Sequence, residues 1–275
     1  MQDILSDFSA TELVKASLKT NWENYHYCLG RSPSVELSIG RYLTWLITNM
    51  PDHFMNLVVC TQLPSEGIDE LIGRALDHFR SLNIGKVTWF AQEGVPATEI
   101  KKCLVAHGLT FTESFGIEMA ADLKSVPDDL PRLAGLRIVQ VVGGETLKQW
   151  IHVASIGFEV REEYEKVWYD FFVDSIYDTR FRTYLALLDG RPVATSQLFL
   201  SAGVAGIYNV TCIPEARQQG IGAAITSAPL LEARKRGYQV GILQASEQGA
   251  RVYRRLGFQD FGGLSVYLWE QKTDL

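Results

Sequence analysis

The sequence has no pair of cysteines spaced as a motif. Cys28, Cys60, Cys103 and Cys212 are scattered, with no CxxC and no adjacent histidine. That argues against a disulfide framework or a zinc site and for reduced thiols. A basic excess is lacking too: 26 Lys and Arg stand against 32 Asp and Glu, a formal net charge of −6 over 275 residues. A nucleic-acid coat needs a positive face, so nucleic acid is not expected as a partner. Apolar runs such as Tyr184 to Leu188 stop far short of the roughly 20 residues that cross a bilayer. The opening stretch MQDILSDFSATELVK is interrupted by Asp3 and Asp7 and lacks the basic and apolar parts of a secretory leader. A cytoplasmic protein that neither binds membranes nor carries a metal is expected.

What is present is an alternation of strand and helix patterns. Leu57–Leu63, Lys86–Gln92 and Phe115–Leu123 read as strands, with helices at Ile68–Leu82 and Thr98–His107. The stretch SVPDDLPRLAG, Ser125–Gly135, then breaks the pattern with two prolines. Beyond it, Leu136–Val142 reads as a strand, followed by helices at Glu145–Phe158 and Glu163–Ile176. Strands at Arg182–Leu188, Pro192–Leu200 and Ala205–Ile213 have turns at Gly190 and Gly203. A helix after Gly220, a strand at Val240–Ala245, a helix at Glu247–Leu256 and a strand at Leu264–Trp269 close the chain. This order implies an α/β fold. The two halves end alike: CLVAHGLTFTESFGIEMAADL and VYRRLGFQDFGGLSVYLWE each run from helix through a glycine to a strand. Similar tails predict a duplicated domain, divided as 1–125 and 126–275.

The segment Arg217-Gln218-Gln219-Gly220-Ile221-Gly222-Ala223 follows a strand and opens a helix. Glycines let successive amides approach an anion closely, and a helix start adds its positive end. A Walker A loop requires Gly-Lys-Ser/Thr, which does not occur. A dinucleotide fingerprint requires a small residue where Ile225 stands and an acidic one where Gln244-Ala245-Ser246 stands. Both familiar nucleotide readings fail, and a loop that only feeds a helix stays open as the plain alternative. Ser246 is a good N-cap for a helix that carries Tyr253.

IPEARQQGIGAA and VYRRLGF together resemble the phosphate loop and the tyrosine helix of the GNAT superfamily of acyl-CoA-dependent N-acyltransferases. The order of elements over Leu136–Glu270, about half the chain, agrees. The resemblance implies two GNAT-like domains, each a central mixed β-sheet flanked by helices. The amino-terminal one lacks the loop and has Leu104 in the tyrosine position, so it reads as a degenerate copy or, alternatively, as an unrelated α/β domain. It implies acetyl-CoA as co-substrate, with the strand end Cys212-Ile213 pairing with pantetheine. The loop Arg217, Gln218, Gln219, Gly220, Ile221, Gly222 and Ala223 would hold the pyrophosphate. Ser246, where the family often has Asn, would touch the cofactor, and Tyr253 would protonate the leaving thiolate. The expected reaction is acetyl transfer to a primary amine of a small molecule or peptide by direct attack. The rivals are an acyl-CoA-binding or sensing protein without transfer and a structural protein with an incidental loop. The resemblance admits a homodimer. Glu162, Glu163 and Glu165 beside Tyr164, Trp168 and Tyr169 read either as a wall for a cationic amine or as a solvated helix face. Asn209, Thr211 and Ser246 are expected to flank the site, and none is a base. Pro229 is expected to kink its helix away from the phosphate end.

Overall fold

A computed structural model describes residues 3–48, 50, 55–60, 66–92, 97–112, 116–127 and 133–271. The chain forms two compact units: residues up to Ser32 with Glu118–Phe261, and Pro33–Ile117 with the residues from Gly262 onward. These are not the segments 1–125 and 126–275 expected from the sequence, because each end of the chain packs into the other half's unit.

In the larger unit, β7 (Leu136–Gln140), β8 (Phe181–Leu188), β9 (Arg191–Ser201) and β10 (Val204–Cys212) form an antiparallel run. β11 (Val240–Ala245) joins β10 in parallel, and β6 (Ile117–Asp122) lies beyond it. The β8–β9 and β9–β10 turns are two-residue connections, with φ of 49° and 82° at Asp189-Gly190 and 53° and 74° at Ala202-Gly203. Two positive φ values in succession define the turn whose twist matches an antiparallel pair. Helices α1 (Thr11–Leu29), α4 (Gly144–Gly157), α5 (Glu165–Phe172), α6 (Ile221–Lys235) and α7 (Glu247–Arg255) flank this sheet. α1 buries Val14 and Leu18 with Ala120, Val204, Val240 and Ile242. In the smaller unit the order is β1 (Val35–Ile39), β2 (Leu43–Thr48), β3 (Leu57–Cys60), β4 (Lys86–Gln92) and β12 (Gln259–Glu270), with β5 (Thr110–Thr112) on β12. Helices α2 (Ile68–Ser81) and α3 (Ala97–Ala106) complete it, around a core that includes Leu76, Phe79, Trp89 and Leu104. The α/β class with mixed sheets flanked by helices is therefore as expected.

The helix expected over Glu163–Ile176 is divided. A 3-10 turn at Glu162–Tyr164 precedes α5, and a second at Val173–Ile176 follows it. The Ser175 hydroxyl donates to the Phe172 carbonyl at 2.7 Å, a local bond added to the tight turn.

α6 continues through Pro229 from Ile221 to Lys235. Proline has no N–H, so the Ile225 carbonyl, four residues back, loses its helical donor. The Ser196 hydroxyl of β9 donates to that carbonyl at 2.8 Å, with Ser196 fully buried. Ser196→Ala should therefore lower stability by about 1–3 kcal/mol, the penalty for an unpaired buried carbonyl. Urea unfolding measures it, and the loss should shrink in a Pro229→Ala background, where the new N–H takes the carbonyl.

On α1, His26 is buried, and its Nδ1–H donates to the Trp22 carbonyl at 2.8 Å. Burial pushes its pKa from 6.5 down to about 4. The unfolded imidazole binds a proton below its ordinary pKa while the folded one refuses it. Stability from this group is thus fully present above pH 6.5 and is lost as pH falls toward about 4, by roughly 3 kcal/mol in all. A His26→Phe variant should flatten that part of the pH–stability curve measured by urea titration.

Candidate active site

β10 and β11 begin side by side and then part. Their paired registers are Ala205 with Gly241 and Gly206 with Ile242, while β10 runs on to Cys212 and β11 to Ala245. A bulge lies in β10 just beyond: Tyr208 faces Gln197 and Thr211 faces Thr195, so two residues oppose one. Asn209 in the bulge has φ +52°, and the Thr195 hydroxyl donates to its carbonyl at 2.8 Å. An open edge of strand thus runs from the bulge toward Cys212.

The two residues at the end of that edge are used differently. Ile213 donates its N–H to the Val193 carbonyl at 3.0 Å and accepts from Ala216 N–H at 3.0 Å. Both of its backbone groups are thereby committed within the protein, which removes it from the pairing expected of it. Antiparallel alternation turns the backbone groups of Cys212 away from β9. Its carbonyl takes a bond from Arg217 Nε at 3.1 Å. Arg217 also donates through Nη2 to the Gly157 carbonyl at 3.2 Å, so this guanidinium braces the loop. Gln219 does likewise, its Nε2 donating to the Glu215 carbonyl at 2.8 Å.

Between them the backbone turns sharply. Gln218 has φ +62° and Gly220 has φ +82°, the latter as N-cap of α6. No side chain caps α6, so the amides of Ile221, Gly222 and Ala223 at its first turn have no capping acceptor. A Cβ built at Gly222 would meet only the Cys212 Sγ, at 3.9 Å. The protein's own packing does not require glycine there. A cradle whose floor is bare backbone, open amides and a helix start fits a pyrophosphate.

Ser246 caps α7, its Oγ accepting from Gly249 N–H at 3.1 Å. The cap leaves the Ser246 hydroxyl proton free of that bond. Tyr253 is buried about two turns further on, its ring 5.9 Å from that of Phe258. Burial and then the neighbouring Cys212 hold its phenol well above the ordinary 10. Burial likewise pushes the Cys212 thiol up to about 11, with Arg217 opposing. Both groups stay protonated at neutral pH. The structure thus brings together Cys212, Gly222 and Tyr253, three of the residues singled out in the sequence.

The α7 exit repeats in the smaller unit. Phe258 N–H bonds the Tyr253 carbonyl at 3.1 Å and Gly257 N–H that of Arg254 at 3.2 Å, with Gly257 at φ +93°. Leu109 N–H bonds the Leu104 carbonyl at 3.0 Å and Gly108 N–H that of Val105 at 2.9 Å, with Gly108 at φ +84°. The two exits are one motif, and Leu104 holds the place of Tyr253.

The acidic cluster is partly neutralised. Glu165 accepts from the Ser155 hydroxyl at 2.6 Å and lies 2.9 Å from His152 Nδ1, while Glu163 pairs with Arg161 at 2.9 Å. A cavity of about 200 Å³ lined by Cys28, Arg31, Ser175, Asp178 and Arg180 includes none of the expected site residues. The Asp178–Arg180 ion pair occupies its polar side, and burial raises the Cys28 thiol. Among the described residues no group of His, Cys, Asp and Glu could hold a metal ion, and no helix is long and apolar enough to cross a membrane.

Sequence reasoning missed α1 as part of this site. Asn21 and Tyr25 reach the sheet beside the bulge, and Asn21 and His26 interrupt the buried stripe of Val14, Leu18, Tyr25 and Leu29 on this helix.

Comparison with known proteins agrees with this geometry. Residues 179–260 match the family model of an acetyltransferase (GNAT) domain. A GCN5-related N-acetyltransferase from Kribbella flavida superposes with a TM-score of 0.69 at 19% identity, over 94% of this chain and 97% of its own. One from Sphaerobacter thermophilus gives 0.64 at 16%, over 96% and 93%. A tandem GNAT protein from the clavulanic acid biosynthesis pathway gives 0.60 at 16%, over 100% and 99%. At such identities the likeness is one of fold. No curated protein matches the sequence. Residues 179–260 thus match an acetyltransferase (GNAT) domain, and the chain shares the fold of these N-acetyltransferases.

Proposed function

We propose that the larger unit transfers an acetyl group from acetyl-CoA to a primary amine of a small molecule or peptide. The observation that carries this reading is the parting of β10 and β11 above an uncapped helix start, with Tyr253 beside Cys212. On it, the open amides from Gly220 to Ala223 hold the pyrophosphate, together with the backbone that Gln218 turns inward. Arg217 and Gln219 act indirectly, by bracing the loop. The backbone of Cys212 faces the pantetheine arm, and Ser246 offers its hydroxyl proton to the same ligand. The amine attacks the thioester carbonyl, and Tyr253 donates to sulfur as the C–S bond breaks.

None of Asn209, Val210, Thr211, Cys212, Ser246 and Tyr253 is a carboxylate or an imidazole. The amine therefore arrives neutral, the proton its nitrogen sheds on forming the amide passes to water, and Tyr253 regains from water the proton it gives to sulfur. The same observation favours a second reading, acyl-CoA binding without transfer. The smaller unit, with the motif at Leu104 but no tyrosine, we read as a GNAT-like copy without cofactor chemistry.

Calorimetric titration with CoA tests the common part of both readings, which expect saturable binding; none at high micromolar CoA would sink both. Acetyl-CoA consumption over polyamines, amino acids, aminoglycosides and peptides separates them. An acceptor-dependent release of thiol establishes transfer.

A further inference from the structure

The family-matched segment begins at residue 179, yet the larger unit includes α1, far upstream in the chain. α1 lays two polar side chains on β9 and β10. Asn21 Nδ2 donates to the Ser201 carbonyl at 2.9 Å, and its Oδ1 accepts from the Tyr208 hydroxyl at 2.7 Å. Tyr25 stacks on Tyr208, with ring centroids 3.9 Å apart and planes 17° from parallel. Gly206 makes the space: a Cβ there would collide with both Asn21 Oδ1 and the Tyr208 ring.

The Tyr25 hydroxyl donates to Gln197 Oε1 at 2.9 Å and accepts from Asn209 Nδ2 at 2.8 Å. Gln197 Nε2 donates onward to Thr183 Oγ1 at 2.9 Å and Ser175 Oγ at 3.2 Å, and Ser175 donates to the Phe172 carbonyl. Tyr25, Gln197, Asn209 and Ser175 each donate to an acceptor in this chain, which terminates on the one bulge residue in the left-handed region. Burial in a low dielectric strengthens such directional bonds. Asn tolerates left-handed backbone where its short amide bonds the local backbone, but the Asn209 amide bonds Tyr25 and Gln197 instead, so those partners hold its conformation.

Resting on the acyl-transfer reading above, we infer that Tyr25 is a positioning residue of the transfer site. Its hydroxyl fixes Asn209 in the left-handed conformation and so sets the path of β10 from the bulge to Cys212. The amino-terminal helix thereby becomes a working part of a site whose motifs all lie after residue 179. Tyr25 touches neither donor nor acceptor and acts through Asn209.

The test is a cycle of Tyr25→Phe and Asn209→Gly in the full chain. Below the melting temperature of every variant, Tyr25→Phe should lower kcat about tenfold, with the KM for acetyl-CoA and the Kd for CoA within twofold. Glycine takes a positive φ without help, so in the Asn209→Gly background the loss of the Tyr25 hydroxyl should change kcat less than twofold. A role in stability alone would move melting and leave kcat. Unchanged kcat in Tyr25→Phe, or an equal loss in both backgrounds, overturns the inference. Amide exchange across residues 208–212 of the unliganded protein gives a second readout, independent of any acceptor. It should rise in Tyr25→Phe while exchange at the start of α6 stays as in the parent; no rise overturns the inference. If CoA fails to bind the parent, the functional reading falls, and exchange still decides whether Tyr25 holds the bulge.

Discussion

Gly222→Val should fold as the parent does and bind CoA at least a hundredfold more weakly. The substitution is mild for the free protein. Gly222 is not in the left-handed region, lies in the first turn of α6, and would place its Cβ no closer than 3.9 Å to the Cys212 Sγ. Valine is a somewhat better helix residue than glycine, so melting should move little. Toward a ligand the change is severe. A phosphate oxygen must come within about 2.9 Å of the amides it bonds, and two methyl groups over the first turn fill that approach. A hundredfold loss corresponds to about 2.7 kcal/mol, less than several charge-assisted bonds supply. Gly220→Ala is the contrasting control. With φ +82° at the N-cap, its Cβ meets only ordinary contacts with Leu133 at 3.8 Å but strains the backbone, so stability falls by about 1–2 kcal/mol. Calorimetry on the two variants separates a ligand effect from a folding effect. If Gly222→Val binds CoA like the parent, the loop is not the pyrophosphate site.

How much of this was legible in the sequence depended on whether the signal was local. Asp189-Gly190, Ala202-Gly203 and the Gly108 and Gly257 exits depend on backbone conformations that glycine alone takes readily, and all lie where their residues indicate. β4 and β11 have the bounds their apolar runs give. The uses of Ile213 and Arg217 were not legible, because a hydrogen bond to β9 or to the Gly157 carbonyl depends on the strand register and on a helix end 60 residues away. α1 was hidden for another reason. Its inward face carries Asn21, Tyr25 and His26, polar groups whose partners lie on β9, β10 and the helix itself. Periodicity detects apolar stripes, and one interrupted at Asn21 and His26 says nothing of the hydrogen bonds that seat the helix. The division into units escaped for the same reason, since pairing of β12 with β4 joins residues far apart in the chain. Pro229 reads as a fault in its helix until Ser196 is seen to supply the missing donor.

Tyr253→Phe should lower turnover about a hundredfold while leaving the affinity for acetyl-CoA within twofold. Phenylalanine keeps the ring and its packing on Phe258, so the change is confined to one hydroxyl. Positioned proton donors contribute roughly 10²–10⁴ in rate. The environment bears on which form of the donor is present. Burial and Cys212 hold the phenol above its ordinary 10, so the proton is in place throughout the neutral and mildly alkaline range. A phenol that weakly acidic does not surrender its proton in advance. It donates a hydrogen bond that strengthens as negative charge gathers on the departing sulfur, which is stabilisation confined to the transition state. The kinetic signature follows: kcat and kcat/KM fall together, and KM stays. The pH profile gives an independent check. Ionisation of Tyr253 should produce no alkaline fall in kcat up to pH 10, because the raised pKa places that event higher. Cys212→Ala removes one of the two causes and should bring the alkaline fall closer to neutrality. Equal turnover in Tyr253→Phe would remove the acid from the mechanism. A fall in affinity without a fall in kcat would make Tyr253 a binding residue instead.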